Sequence, residues 1–189
     1  MARANSENGE ETSGKNMSAR QGEGPPGSSF RNPVVLRIAE FLASIGIVVR
    51  AGELPAETFL PGIAIDRGVL VIDEDRLMYP GDLLHEAGHL ALMPAEERAN
   101  AGSDTGNDGG VEMGATAWSF AAATEMKLPL EIVFHDGGYR GESKAIIENF
   151  TQGRYFGVPI LVWLGLTVDP LKPDGSSIPP FPNMRRWLR

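Results

Sequence analysis

One stretch decides the fold: Gly81-Asp82-Leu83-Leu84-His85-Glu86-Ala87-Gly88-His89-Leu90-Ala91-Leu92. Residues four apart lie on the same face of a helix, so His85 and His89 can present two imidazole nitrogens to one metal ion. Glu86 lies at the edge of that face, where it can polarise a water molecule rather than bind the metal. The stretch predicts a helix over about 82–93 that supplies half of a zinc site.

The rest of this helix is apolar, and we expect it to be buried. At about 100° per residue, its opposite side carries Leu83, Leu84, Ala87, Leu90 and Ala91. The alternative is that the two histidines are ordinary core or surface residues. The chain has only 3 histidines, so their occurrence as H-E-x-x-H favours the metal site.

A catalytic zinc site of this type needs a third protein ligand and leaves one position open. Glu112, on a helix predicted over 111–127, shares its face with small residues only: Ala115, Thr116, Ser119 and Ala123. Small side chains allow a close approach to the metal helix, so we choose Glu112 as the third ligand. The alternative is an acid favoured in a first helical turn by the helix dipole. Rival ligands are Asp104, Asp108, Glu96 and Glu97.

The segments around the metal helix predict an α+β fold. Asn32 and Pro33 begin a helix over about 33–44. Residues 45–49 favour a short strand, and 62–66 with 69–72 predict a hairpin, which gives a small antiparallel sheet. An edge strand beside the metal helix could hold an extended peptide. Further helices are predicted over 142–152 and 157–166, followed by an extended, proline-rich segment from Val168.

Composition limits the class of protein. The chain of 189 residues suits one domain over 30–189, after a disordered tail over 1–29 rich in Gly, Ser, Glu and Asn. It has no cysteine, so any metal must be held by His, Asp or Glu. A net charge of -8 argues against nucleic-acid binding, and no apolar run suits a signal peptide or a membrane span. We expect a soluble, cytoplasmic protein; its oligomeric state stays open.

The segment 101–110 is a loop by composition, Ala-Gly-Ser-Asp-Thr-Gly-Asn-Asp-Gly-Gly. Asp104, Asn107 and Asp108 suggest calcium as an alternative, but their spacing does not fit an EF-hand. A solvated, flexible loop is the favoured interpretation.

Metal-assisted attack on a carbonyl also needs a group that stabilises the developing oxyanion. The candidates by residue type are His135, Tyr139 and Arg140, which follow the helix predicted over 111–127; each could equally be a surface residue. Asp82 could orient a ligand imidazole through a hydrogen bond.

The order of these parts resembles the minimal gluzincin metallopeptidases of the ImmA/IrrE type. The resemblance covers residues 33–135: a helix, a small sheet, His85-Glu86-Ala87-Gly88-His89, and the alanine-rich segment from Glu112 to Ala122. It implies a zincin-like, mostly helical core in which His85, His89 and Glu112 bind zinc and Glu86 is the general base.

We therefore expect a zinc-dependent metallopeptidase that acts on a peptide or protein substrate, with Glu86, His135 and Tyr139 as catalytic candidates. The alternative is a peptidase-like module that binds a partner and has no catalytic activity. A third hypothesis is a soluble α/β domain with an accidental motif. Zinc is the expected ion, although such sites also accept iron, cobalt, nickel or manganese.

Overall fold

The computed structural model describes residues 30–103, 108–172 and 174–189. In this part of the chain, seven α-helices and one three-stranded sheet are present, which confirms the α+β class. The predicted disordered tail, residues 1–29, lies outside the described residues, as do Asp104 and Asn107 of the predicted loop.

Helix α1 spans Pro33–Ser44, as the sequence predicts. The Asn32 side chain caps it by accepting a hydrogen bond from the Val34 N–H at 2.9 Å, and Pro33 takes the first helical position. The Glu74 carboxylate accepts the Arg31 and Asn32 N–H groups, which anchors the start of α1 to the end of the sheet.

The sheet contains β1 (Val49–Ala51), β2 (Ile63–Asp66) and β3 (Val69–Ile72) in the order β1-β3-β2. The antiparallel pairing of β2 with β3 agrees with the predicted hairpin. The prediction of a wholly antiparallel sheet is wrong, because β1 pairs with β3 in parallel. The most apolar strand, β3, takes the centre, and the long connection from β1 to β2 allows β1 to lie on its far side.

The outer edge of β2 is already partly paired. The Ile65 N–H donates to Ser103 Oγ at 2.9 Å, and Asp66 bridges to Gly102. The Ile63 N–H donates to the Leu60 carbonyl at 3.2 Å. This edge therefore offers few free donors to the extended peptide that the sequence suggested.

Helix α2, the metal helix, spans Asp82–Leu92 and is buried along nearly its whole length. After the short helix α3 (Ala95–Arg98), the long helix α4 (Gly109–Glu125) packs directly against α2. A Cβ on Gly88 would lie 2.9 Å from the Ala115 carbonyl oxygen, so the two backbones are nearly in contact. The close approach expected from the small residues of α4 is present.

The remaining helices cover the other side of α4. They are α5 (Leu130–Val133), α6 (Ser143–Thr151) and α7 (Val158–Trp163). The C-terminal segment returns across the core, where the Trp118 Nε1–H donates to the Trp187 carbonyl at 2.9 Å. Among the helices that the structure describes, none combines the length and the hydropathy that crossing a bilayer requires.

The α2–α4 contact gives a first prediction. Gly88→Val should lower the free energy of unfolding by about 1–3 kcal/mol, because the added side chain must push α4 away from α2. Urea denaturation followed by circular dichroism measures this change.

Gly109→Ala is the matched control, since this helical glycine has no heavy atom within 4 Å of its would-be Cβ among the described residues. It should be neutral or stabilising by up to about 1 kcal/mol through helix propensity. Equal stability of Gly88→Val and the unmodified chain would contradict the close packing.

Candidate metal centre

The two histidines of α2 face each other through their Nε2 atoms. These atoms are 3.1 Å apart, and the two rings are almost perpendicular, at 85°. The His89 side chain is 2% exposed and that of His85 is 16% exposed, so His89 is buried and solvent reaches part of His85. The i, i+4 spacing has produced the convergence that the sequence predicted.

Glu112 reaches this pair from α4. Its Oε2 lies 3.3 Å from His85 Nε2, and its Oε1 lies 3.4 Å from His89 Nε2. Zinc bonds to nitrogen and oxygen are about 2.0–2.1 Å long, so two ligands of a tetrahedral zinc ion stand about 3.3 Å apart. The two distances reach different oxygens of Glu112, so its carboxylate lies across both imidazoles at separations of the size expected for ligands of one ion. Two imidazoles with neighbouring carboxylates could therefore hold a metal ion.

Glu86 completes a compact group with the two histidines. One ligand atom from each of His85, Glu86 and His89 lies within 4.8 Å of the others, so the three could hold a metal ion. Glu86 is only 8% exposed, whereas the Glu112 side chain is 44% exposed. Two carboxylates thus stand beside the imidazoles, one buried and one at the mouth of the site.

Burial shapes the acid–base properties of the group. It raises the pKa of Glu86 to about 7, against a smaller opposing effect of His85. Burial, and then the neighbouring His85, lower the pKa of His89 to about 4, which keeps its imidazole neutral and able to bind a cation. The hydrogen bond with His85 lowers the pKa of Glu112, so that carboxylate is ionised at neutral pH.

The Nδ1 atoms of His85 and His89 are buried and lack a hydrogen-bond partner among the residues that the structure describes. If both Nε2 atoms bind a cation, both Nδ1 atoms carry the protons. Asp82 does not orient either ring, contrary to the suggestion from sequence. Its Oδ1 lies 2.8 Å from His135 Nε2, because its position on the first turn of α2 faces the segment after α5.

His135 is held by two contacts at the start of α2. A carboxylate only accepts hydrogen bonds, so His135 Nε2 carries the proton shared with Asp82. Its ring stacks on Tyr79, with centroids 3.6 Å apart and planes within 10°. Tyr79 is a residue that sequence reasoning missed, and its only signal was its place just before Pro80 and Gly81 at the start of the metal helix.

Tyr139 lies against His85. Its ring meets His85 edge-on with centroids 5.7 Å apart, and its hydroxyl is buried without a partner among the described residues. Burial and then the charge of Asp82 raise the pKa of this phenol, so it remains protonated and can donate a hydrogen bond. Arg140, the third candidate of the sequence analysis, is exposed.

Three of the four alternative metal ligands have other positions or roles in the structure. The Asp108 carboxylate caps α4 by accepting a hydrogen bond from the Gly110 N–H at 2.7 Å. This role explains Asp108 without a calcium ion. Glu96 and Glu97 are exposed on α3. Asp104 lies outside the described residues.

The buried carboxyl gives a second prediction, for the protein in chelator. The pKa of Glu86 in the folded state, about 7, lies above its ordinary value of 4.5, so stability falls as the pH rises through this interval. Glu86→Gln mimics the protonated form and avoids this loss. At pH 8 it should be more stable than the unmodified chain by up to about 3 kcal/mol, since each pKa unit is worth about 1.4 kcal/mol.

The measurement is the free energy of unfolding at pH 5 and pH 8. The gap between the two proteins should be small at pH 5 and large at pH 8. Glu97→Gln, at an exposed carboxyl, is the control and should follow the unmodified chain. If the free energy of unfolding of Glu86→Gln changed with pH in parallel with that of the unmodified chain, the raised pKa of Glu86 in the folded protein would be contradicted.

Comparisons with known proteins give no match for this chain. The chain matches no family model, no curated protein and no solved structure. What the chain has is a His85, Glu86 and His89 group able to hold a metal ion in an α+β fold, with Glu112 beside it.

Proposed function

We propose that the chain is a zinc-dependent peptidase, with His85, His89 and Glu112 as zinc ligands and Glu86 as the general base. The observation that supports this most is that the Glu112 carboxylate spans the two imidazole Nε2 atoms, with one oxygen 3.3 Å from His85 and the other 3.4 Å from His89, beside the buried carboxyl of Glu86. A purely structural site would not need that carboxyl, since its burial costs stability.

A zinc ion held there would supply Lewis acidity, which acidifies water and polarises a carbonyl group. Glu86 then accepts the proton of the attacking water and passes it to the leaving amine. The partial exposure of Glu112 means that the ligand set opens to solvent on one side, where a substrate can enter.

Tyr139 is a better candidate than His135 for the group that stabilises the oxyanion. The Nε2–H of His135 is already engaged by Asp82, and its ring is covered by Tyr79. The Tyr139 hydroxyl is protonated, buried and without a partner among the described residues, so it has a hydrogen bond to give. A donor of this kind is worth the most where water is excluded.

The substrate in this proposal is a peptide or protein, bound in an extended form at the mouth of the ligand set. We do not assign it to the outer edge of β2, because Ser103 and Leu60 already take the Ile65 and Ile63 N–H groups there. Met113, next to Glu112 on α4 and 45% exposed, offers an apolar contact for a substrate side chain instead.

Zinc binding is the third prediction. One zinc ion per chain should raise the melting temperature of chelator-treated protein, because a ligand that binds only the native state stabilises it by about 2.7 kcal/mol at 100 times its Kd. His85→Ala, His89→Ala and Glu112→Ala should each abolish this shift. Calorimetry and metal analysis give the affinity and the stoichiometry.

Glu97→Ala is the matched control for loss of an acid and should bind zinc normally. Undiminished affinity in Glu112→Ala would instead assign the third ligand to Glu86. A chain that takes up no zinc at all would reject the site.

Peptide hydrolysis is the fourth prediction. Glu86→Gln should keep one zinc ion per chain yet lower kcat by at least about 10³-fold, because the proton acceptor is lost while the ligands remain. The readout is cleavage of a diverse peptide library, analysed by mass spectrometry. Zinc-loaded protein that cleaves no peptide would contradict the enzymatic function and would favour a peptidase-like binding module.

A further inference from the structure

The segment that carries Tyr139 is attached to the start of the metal helix at two points. The ring of His135 stacks on Tyr79, three residues before α2 begins, with centroids 3.6 Å apart. His135 Nε2 also lies 2.8 Å from Asp82 Oδ1, on the first turn of α2. His135 is 9% exposed, so both contacts lie inside the protein. Tyr79 and Asp82 together fix the beginning of this segment relative to His85.

Two glycines allow the chain to turn closely around this stack. A Cβ on Gly138 would lie 3.0 Å from His135 Cε1, and one on Gly137 would lie 2.6 Å from Tyr79 Cζ. The Gly138 N–H donates to the His135 carbonyl at 3.1 Å, and Ser143 Oγ donates to the same carbonyl at 2.5 Å. The backbone between His135 and Tyr139 thus lies directly on the two stacked rings.

Tyr139 has an intrinsically unfavourable backbone conformation. Its φ is +52° and that of Arg140 is +53°, in the left-handed region that side chains with a Cβ rarely adopt. Its hydroxyl is also buried without a partner among the described residues. Both features cost free energy, so the surrounding contacts must determine where Tyr139 lies.

We propose that Tyr79 is the positioning residue for Tyr139: its ring, stacked on His135 and covered by Gly137, holds the Tyr139 ring against His85. This rests on the proposed function, because the position matters only if Tyr139 donates to the substrate oxygen. Tyr79 touches no reacting atom. It acts through the shape of the segment 135–139, whose Tyr139 ring meets His85 edge-on at 5.7 Å.

Kinetics give the first test. Tyr139→Phe should lower kcat by about 10²-fold, the usual cost of losing one oxyanion donor. Tyr79→Leu should lower kcat by at least about 10-fold with KM and zinc content unchanged, because small misplacements of a catalytic group are costly. Tyr79→Phe keeps the stacked ring and should restore turnover.

The double variant separates positioning from general packing. If Tyr79 acts through Tyr139, Tyr79→Leu should cause no further loss in a Tyr139→Phe background. Tyr155→Leu, which removes a ring from the cluster with Phe120 and Phe181, is the matched control and should lower the melting temperature without changing kcat. Fully multiplicative effects of the Tyr79 and Tyr139 substitutions would overturn the proposal.

A second readout needs neither substrate nor metal. The chain has 3 tyrosines, so 3-fluorotyrosine gives three ¹⁹F resonances that single Phe variants assign. The Tyr139 resonance should be insensitive to exchange of H₂O for D₂O in the unmodified chain and in Tyr79→Phe, and sensitive in Tyr79→Leu. A Tyr139 resonance unchanged by Tyr79→Leu would refute the positioning role. Absence of hydrolysis alone would instead refute the proposed function.

Discussion

The contact between Gly88 on α2 and Ala115 on α4 is the constraint on which the site depends. A carboxylate has a short reach, so Glu112 can approach two imidazoles on another helix only if the two backbones nearly touch. The contact continues along the pair, where Ser119 Oγ donates to the Leu84 carbonyl at 3.1 Å. Ser119 lies one turn after Ala115 and Leu84 one turn before Gly88, so the helices run antiparallel through this region. Absence of side-chain bulk at two positions thereby sets the spacing of the metal-binding atoms.

Several groups at this site lower the stability of the folded protein. Glu86 is buried with a carboxyl whose ionisation burial opposes, two imidazole Nδ1 atoms lack partners among the described residues, and Tyr139 has a positive φ. None of these features helps the chain to fold. Three of the four buried side-chain atoms without a partner among the described residues belong to His85, His89 and Tyr139. Proteins depart from the agreement between local preference and fold mainly at functional sites. Their concentration around one pair of histidines argues for chemistry there.

Local patterns carried most of what could be predicted from the sequence. The apolar face of the stretch around His85 and His89 and the cap at Asn32 indicate helices locally, and the small residues on one face of α4 pointed to Glu112 without any knowledge of the fold. What the sequence did not contain were pairings between distant segments. The parallel placement of β1 beside β3 depends on where a long connection crosses, and His135 meets Asp82 across 53 residues. The stack on Tyr79 has no sequence periodicity, because its geometry arises only when the segment after α5 folds back on the start of α2.

The metal helix is held at both ends by contacts with neighbouring segments. At its start, a Cβ on Gly81 would overlap the backbone of Ile132 and Val133, so α5 presses directly on the first turn. At its end, the Arg98 guanidinium donates to the Leu90 and Met93 carbonyls at 3.0 Å, and the Arg189 N–H donates to the Ala91 carbonyl at 3.0 Å. These bonds satisfy carbonyls that a helix terminus leaves unpaired. A helix fixed in this way cannot shift along its axis without breaking contacts at one end. Its two imidazoles are therefore held in place by the fold, so a metal ion bound there would meet ligands that are already ordered.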